Sequence, residues 1–357
     1  VKHWQETTRI LDRVLGLGRE GRAAALATVV RIDGSAYRRP GAKLLIEDDG
    51  GALGGVSGGC LEADVHEIGR EVMRSGRAVL RRYETGDDAT RPFGLGLGCD
   101  GEVEVLVQPL PAAEAVGTWA AVRELLRGDS AFALATAVEP DGQAAVLAVG
   151  ESGRAAGSRP EAEVEDAASA ALRARRSRWQ SLGARRVFVE VLEPPPRLLV
   201  CGAGDDARPL VALAASVGFR VLVADHRRGY LTAERFPEAQ ALLAVRADDE
   251  GVELPTGAET YAVVMTHSLQ RDTAWILRLA PTDIPYVGLL GPRSRTARIL
   301  ADLGIAGGGR IFGPVGLDLG ADGPEQVAVS VVAELLAARS GREPRHLRER
   351  EVAVHAG

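Results

Sequence analysis

Lysine is almost missing from this chain: Lys2 and Lys43 are the only two among 43 lysine and arginine residues. With the abundance of alanine and glycine, that bias reads as genome composition rather than function. It leaves arginine as the available cation, and a guanidinium can hold a phosphate bidentately. A basic excess is missing as well, since the net charge is −6. Without that excess to neutralise phosphates, a nucleic-acid partner is not expected. Cysteine is scarce. Cys60, Cys99 and Cys201 lie far apart in sequence, and they make neither a disulfide framework nor a Cys-x-x-Cys zinc motif. They fit a reducing cytosol, so a cytoplasmic protein is expected. No apolar run reaches membrane-spanning length, and the stretch starting Val1-Lys-His-Trp-Gln does not read as a signal peptide, so no membrane association is expected. No internal repeat stands out.

What is present suits a folded chain of two domains: 357 residues, 46% hydrophobic and 26% charged. Residues 4–17 read as an amphipathic helix. Strands are expected at 23–32, 43–46, 78–83, 102–108, 131–138 and 185–192, with helices at 61–74 and 112–127. Glu139-Pro-Asp-Gly-Gln is a hairpin signal, and residues 150–180 read as a loop followed by a surface helix. Pro194-Pro195-Pro196 can neither pair inside a sheet nor continue a helix, so the boundary is set there. The expected domains are 1–193 and 197–340, with a charged tail at 341–357. The fold class is α/β: a mixed α/β N-terminal domain, then a Rossmann-like, doubly wound parallel sheet.

Each cysteine touches a glycine. Cys60 closes the densest glycine run, Gly54-Gly55-Val-Ser-Gly58-Gly59-Cys60-Leu61-Glu62, which ends at a helix start. Glycine lets a bulky group come close and leaves N–H groups free for anions. A thiol there is either a small residue packed at a tight turn or a thiolate suited to a soft metal or to sulfur transfer. Glu62 either caps the helix or accepts a proton. Cys99, in the loop Gly94-Leu-Gly96-Leu-Gly98-Cys99-Asp100-Gly101, carries the same ambiguity. Ser35 with Arg38 and Arg39 is either an anion loop or an exposed turn. No histidine sits at ligand spacing from Cys60 or Cys99, so a zinc site of sequence-local ligands is not expected.

In the second half, Gly202-x-Gly204-x-x-Ala207 follows an expected strand at 197–201 and opens a helix, and Asp225 ends the next strand. Such glycines make the turn and admit a pyrophosphate, while the acid hydrogen-bonds ribose hydroxyls. Asp205 and Asp206 can cap the helix, yet they would repel a pyrophosphate. NAD(P) binding is therefore possible but opposed by charge. Cys201 reads as a buried strand residue. His267, after the apolar strand 261–266 and five residues before Asp272, is either a general acid/base or a neighbour of a helix cap. Gly288-Leu-Leu-Gly291-Pro-Arg293 is a further strand-end turn suited to an anion.

These motifs, in this order, resemble the XdhC/CoxI family of accessory factors for xanthine dehydrogenase and related molybdenum hydroxylases. The likeness is carried by Gly54 to Glu62, Gly96-Leu-Gly98-Cys99, Cys201-Gly-Ala-Gly204, Asp225-His-Arg227, Thr266-His267 with Asp272, Gly288 to Arg293, and Gly316-Leu-Asp318. The resemblance implies a chaperone that transiently binds molybdenum cofactor (molybdopterin). It would protect the cofactor while a cysteine desulfurase sulfurates it, and hand it to the apo-enzyme of a molybdenum hydroxylase. Cys60, Glu62, Gly58 and Gly59 carry over as the cofactor or sulfur-handling site, with Cys60 the metal-facing residue, and Cys99 is added to them. Ser35, Arg39, Gly202, Gly204, Asp225, Arg227, Gly291 and Arg293 complete the expected binding set, with His267 and Asp272 as acid/base candidates. A homodimer is possible. The alternative is an NAD(P)-dependent oxidoreductase built on the Rossmann-like half. Two departures, Asp205 and Asp100, add negative charge where the family often has histidine and glycine.

Overall fold

The computed structural model describes residues 2–34, 37–85, 101–157, 162–249, 251–305 and 309–349. The chain divides into two compact units, Val1–Pro194 and Pro195–Glu351. Among the described residues no helix is long and apolar enough to cross a membrane.

The first unit opens with α1 (Lys2–Arg19), which buries Ile10, Leu11, Val14 and Leu17 at helical spacing. Next come β1 (Ala24–Gly34), β2 (Lys43–Glu47), β3 (Ala52–Gly54), α2 (Glu62–Ser75), β4 (Val79–Thr85) and β5 (Gly101–Leu110). The strands make an antiparallel sheet in the order β3-β2-β1-β5-β4. α3 (Ala112–Glu114), a π-helical segment (Ala115–Trp119) and α4 (Ala120–Leu125) interrupt what the sequence suggested was one helix. A second set follows: β6 (Phe132–Val138), β7 (Ala144–Gly150), β8 (Gly153–Gly157), α5 (Ala162–Arg173), β9 (Arg178–Leu182) and β10 (Arg185–Leu192). Its antiparallel order is β8-β7-β6-β10-β9.

Both sets run three strands, a helix, two strands, and both order their strands alike. The topology repeats although the sequence shows no repeat. A strand needs only the right alternation of burial, so two modules can share a path without sharing residues. In β1, Ala25, Ala27 and Val29 join Val65 and Val72 of α2. Ala24 and Leu26 face the other way, into a cluster with Phe132, Leu134 and Leu192 of the second sheet. Ala133, Ala135, Val187 and Val189 pack with Val164 and Ala168 of α5. The result is helix, sheet, sheet, helix. α5 is therefore less of a surface helix than its alanines suggested, because alanines at helical spacing are enough to pack on a sheet.

One of the two lysines ties the two sheets together. Lys43, at the start of β2, is buried, with Nζ 2.6 and 2.8 Å from the Glu190 carboxylate oxygens and 2.9 Å from the Gly41 carbonyl. Removing one partner of such a pair leaves a buried charge and costs about 3–5 kcal/mol.

The second unit contains β11 (Arg197–Cys201), α6 (Ala207–Ser216), β12 (Arg220–Asp225), β13 (Ala241–Ala244), β14 (Thr260–Val264), α7 (Leu269–Leu279), β15 (Tyr286–Leu289), α8 (Arg293–Asp302), β16 (Ile311–Phe312) and α9 (Pro324–Ser340). All its strand pairs are parallel, in the order β13-β12-β11-β14-β15-β16. That is the Rossmann order, first strand central and a crossover between halves. α6 and α9 cover one face, α7 and α8 the other. Cys201 is fully buried under α7, and burial pushes its thiol well above the ordinary range.

Candidate functional site

The glycine run of the first unit links β3 to α2. Gly54 has φ +97°, and a Cβ there would lie 2.3 Å from the Lys43 carbonyl oxygen, so only glycine fits. The Gly55 N–H donates to that same oxygen at 2.7 Å. Glu62, the first residue of α2, turns back: its Oε1 accepts from the N–H groups of Val56 and Ser57 at 3.2 and 2.8 Å, and the Ser57 hydroxyl donates to its Oε2. The Ser57 hydroxyl oxygen in turn accepts from the N–H groups of Gly59 and Leu61 at 3.0 and 3.1 Å. Burial works to raise the Glu62 pKa, but these hydrogen bonds outweigh it and hold the carboxyl below its ordinary value. Glu62 is thus the anchor of the loop.

The loop spends most of its N–H groups on itself, contrary to the expectation that the run leaves them generally free. Gly58 and Cys60 are the residues of the turn whose N–H groups find no acceptor among the described residues. Gly59, at φ +117°, has open space where a side chain would be. Cys60 is a free, half-buried thiol that packs against the α2-side cluster. No group of three or more metal-ligating side chains occurs among the described residues, so Cys60 has no built ligand set around it there.

Beside the loop opens a cleft of about 550 Å³, lined by Glu6, Arg9 and Ile10 of α1, by Arg38, by Leu53 to Gly55, and by Ser57, Gly59 and Glu62. Arg38 binds it together: its Nε donates to the Gly55 carbonyl at 3.0 Å, and its Nη2 donates to Glu6 Oε1. Sequence reasoning singled out Arg39, which is exposed and does not line this cleft, while its neighbour Arg38 does. Ser35 and Cys99 lie outside the described residues. Glu6 was missed entirely. The available signal was a carboxylate four residues before Ile10, on the buried side of an amphipathic helix.

The glycine turn of the second unit is built differently. Gly202 has φ +125°, and its Cβ would lie 2.5 Å from the Met265 carbonyl oxygen. Asp225 Oδ2 accepts from the Ala203 N–H at 2.8 Å, and Arg227 pairs with both carboxylate oxygens at 3.0 and 2.9 Å. Burial opposes the Asp225 charge, but the Arg227 bonds and the Ala203 N–H bring its pKa down to about 2. Arg227 lies 4.0 Å from the centre of the Tyr230 ring, and Arg235, over the same ring, donates to Asp205 Oδ1 at 3.0 Å.

Asp206 matters most here. A Cβ on Gly204 would lie 2.5 Å from Asp206 Oδ1, so a carboxylate already covers the glycine that would admit a pyrophosphate. Asp206 Oδ2 lies 2.7 Å from Nε2 of His267, whose backbone sits at the left-handed φ of +57°. His267 therefore pairs with Asp206. Asp272 is buried and faces elsewhere: it accepts from the Thr266 N–H and hydroxyl at 3.1 and 2.5 Å and pairs with Arg295 at 2.5 Å. Burial raises its pKa against the pull of Thr266 and Arg295. Gly291 sits at φ +135° beside Arg295, whereas Arg293 is exposed at the start of α8. A pocket of about 210 Å³ opens by Asp225, His226, Arg246, Thr266 and Arg271.

Comparison with known proteins places this architecture. The chain matches the XdhC and CoxI family over residues 17–84 and the XdhC Rossmann domain over residues 198–335. It is 34% identical over 316 residues to a probable xanthine dehydrogenase subunit of Bacillus subtilis (strain 168), covering 88% of this chain and 93% of that one. It is 27% identical over 329 residues to the molybdenum cofactor insertion chaperone PaoD of Escherichia coli (strain K12), covering 90% and 86%. A crystal structure described as a xanthine dehydrogenase from Bacillus halodurans superposes with a TM-score of 0.77 at 26% identity, covering 95% of this chain and 97% of that one. The chain belongs to the XdhC and CoxI family.

Proposed function

We propose that this chain is an accessory factor of a xanthine dehydrogenase-type molybdenum hydroxylase. It binds molybdenum cofactor in the cleft beside Gly54 to Cys60 and delivers it to the apo-enzyme. Two relatives support the class of partner and cargo: one is named as part of a xanthine dehydrogenase, the other as a molybdenum cofactor insertion chaperone. The observation that carries the site is the open glycine loop: Arg9, Arg38 and Gly59 line its cleft, and Gly58 and Cys60, on either side of Gly59 and not themselves lining the cleft, keep unspent N–H groups and a free thiol.

The cargo carries a phosphate, a pterin and a dithiolene-bound metal. Arg9 and the N–H groups of Gly58 and Cys60 suit the phosphate. The Cys60 thiol suits the soft metal end. Glu62 holds the loop in shape and stays ionised. The chain holds, shields and releases its cargo without turning it over, and sulfuration falls to a cysteine desulfurase partner.

Co-purification with pterin and molybdenum analysis tests this reading. Wild-type protein should carry molybdopterin, and Cys60→Ala should lose cofactor or fail to mature the partner. A Cys60→Ala protein that matures the partner as well as wild type removes the thiol from the account. The dinucleotide-dependent oxidoreductase reading draws support from the strand order and the pocket by Asp225. Asp206 over Gly204 opposes it, and a titration with NAD(H) and NADP(H) that shows no saturable binding would end it.

A further inference from the structure

α9 is apolar on more sides than its packing accounts for. Ala328, Val331, Val332 and Leu335 sink into a cluster with Leu210, Val211 and Ala214 of α6. A helix that packs on one side carries polar residues on the other. Here the other side shows Val329, 50% exposed, and Leu336, 40% exposed, with half-buried Ala333 between them. A helix apolar all round is ordinarily buried all round, and an exposed apolar stripe marks a contact surface. Gln326, Val329, Ala333, Leu336 and Ser340 follow one another at steps of three and four residues, the spacing of a coiled-coil seam. Glu325 and Arg339 are both exposed. Each directly precedes a seam residue, so both stand on the same flank of the seam.

We propose that two copies of this chain meet along that stripe, α9 packed antiparallel on α9 about a two-fold axis. The seam sets the register. Val329 fits against the partner's Ala333, and Ala333 against the partner's Val329, so each layer sets a large side chain on a small one. The same register brings Glu325 opposite the partner's Arg339, because antiparallel helices put like flanks together. The two-fold axis makes that ion pair twice. A parallel pair would set Glu325 opposite the partner's Ser330 and leave both charges unanswered. The charges therefore select a second copy of this helix, and its direction. About two turns of helix per copy make a small contact, so the dimer should form and dissociate with protein concentration. The contact belongs to the second unit and does not depend on what the glycine loop of the first unit binds.

Sedimentation of the full chain over a concentration series tests it, with melting curves as the check on folding. Wild type should move from the mass of one chain towards that of two. Val329→Lys and Leu336→Lys change exposed side chains, should melt like wild type, and should stay at the mass of one chain. Glu325→Arg and Arg339→Glu should each weaken the dimer about tenfold, since two exposed ion pairs become two like-charge contacts. The variant carrying both reversals should dimerise like wild type, a recovery that two separate folding defects would not give. Wild type that stays a single chain at every concentration overturns the proposal. A dimer that survives Leu336→Lys overturns it too, as do charge reversals that fail to compensate each other. If the chain stays single and Leu336→Lys stops it maturing the hydroxylase, the stripe belongs to that enzyme and the self-pairing falls.

Discussion

Each unit of this chain contains a glycine-rich turn that leaves a strand and enters a helix, and the two turns end in opposite states. The loop from Gly54 to Leu61 borders a cleft of about 550 Å³, and Gly59 has open space around it. In the turn from Gly202 to Gly204, the Asp206 carboxylate lies over Gly204 and the Arg227 side chain occupies Asp225. In the first loop a carboxylate, Glu62, reaches back to hold the backbone and so keeps the cleft free. In the second, carboxylates stand where an anionic ligand would lie. A glycine pattern thus reports what backbone path is possible, while the neighbouring charges decide whether a ligand can use it.

The comparison can be broken most strongly at Gly54. Gly54→Val adds a side chain at a left-handed φ and against the Lys43 carbonyl, so it should cost roughly 3 kcal/mol or more and abolish cofactor retention. Urea midpoints and pterin analysis read both effects.

Acid should separate the two units next. Burial, with the charges of Lys43 and Arg38 beside it, lowers the His3 pKa from 6.5 to about 4. A histidine held neutral in the fold protonates more readily once unfolded. Its contribution is therefore complete above pH 6.5 and is lost as pH falls from there towards about 4, by up to about 3 kcal/mol. Asp225 has the opposite sign of charge: its contribution holds above its unfolded value of 3.8 and is lost only as pH falls towards about 2. Hydrogen exchange at pH 7 and pH 4.5 should show the α1 region loosening before the Asp225 turn. His3→Gln should flatten the first response.

Much of this was legible in the chain, and the limits are physical. The Rossmann half declared itself through Gly202, Gly204 and Asp225, because those roles depend on local spacing. The glycine run before α2 was legible for the same reason. Arg38 and Arg39 were not separable, nor were Arg293 and Arg295, because which neighbouring guanidinium turns inward depends on partners distant in sequence: Glu6 for Arg38, Asp272 for Arg295. The repeated three-strand, helix, two-strand module was hidden because β3, β8 and β9 are short and only partly buried. The pairing of His267 with Asp206 instead of Asp272 depends on a contact between residues 61 apart in sequence.

Emptying the filled turn sharpens the contrast from the other side. Asp206→Ala removes the carboxylate over Gly204 and should raise NAD(H) affinity about tenfold over wild type, measured by calorimetry, if charge and bulk at Gly204 are what close the site. An unchanged affinity would show that Arg227 on Asp225, or the missing partners of a full nucleotide site, matter more. The smallest expected effect belongs to Gly59→Ala. Nothing lies near its Cβ, so only the backbone penalty of a φ of +117° remains, about 1–3 kcal/mol, with cofactor binding altered far less than by Gly54→Val.

The most direct test measures molybdopterin retained by Glu62→Ala and by Asp206→Ala beside wild type, each purified in full length. Glu62→Ala releases the N–H groups of Val56 and Ser57 and should lose most of the cofactor. Asp206→Ala should retain it at the wild-type level. Loss that follows Asp206→Ala while Glu62→Ala keeps its cofactor would move the binding site to the second unit and contradict the account.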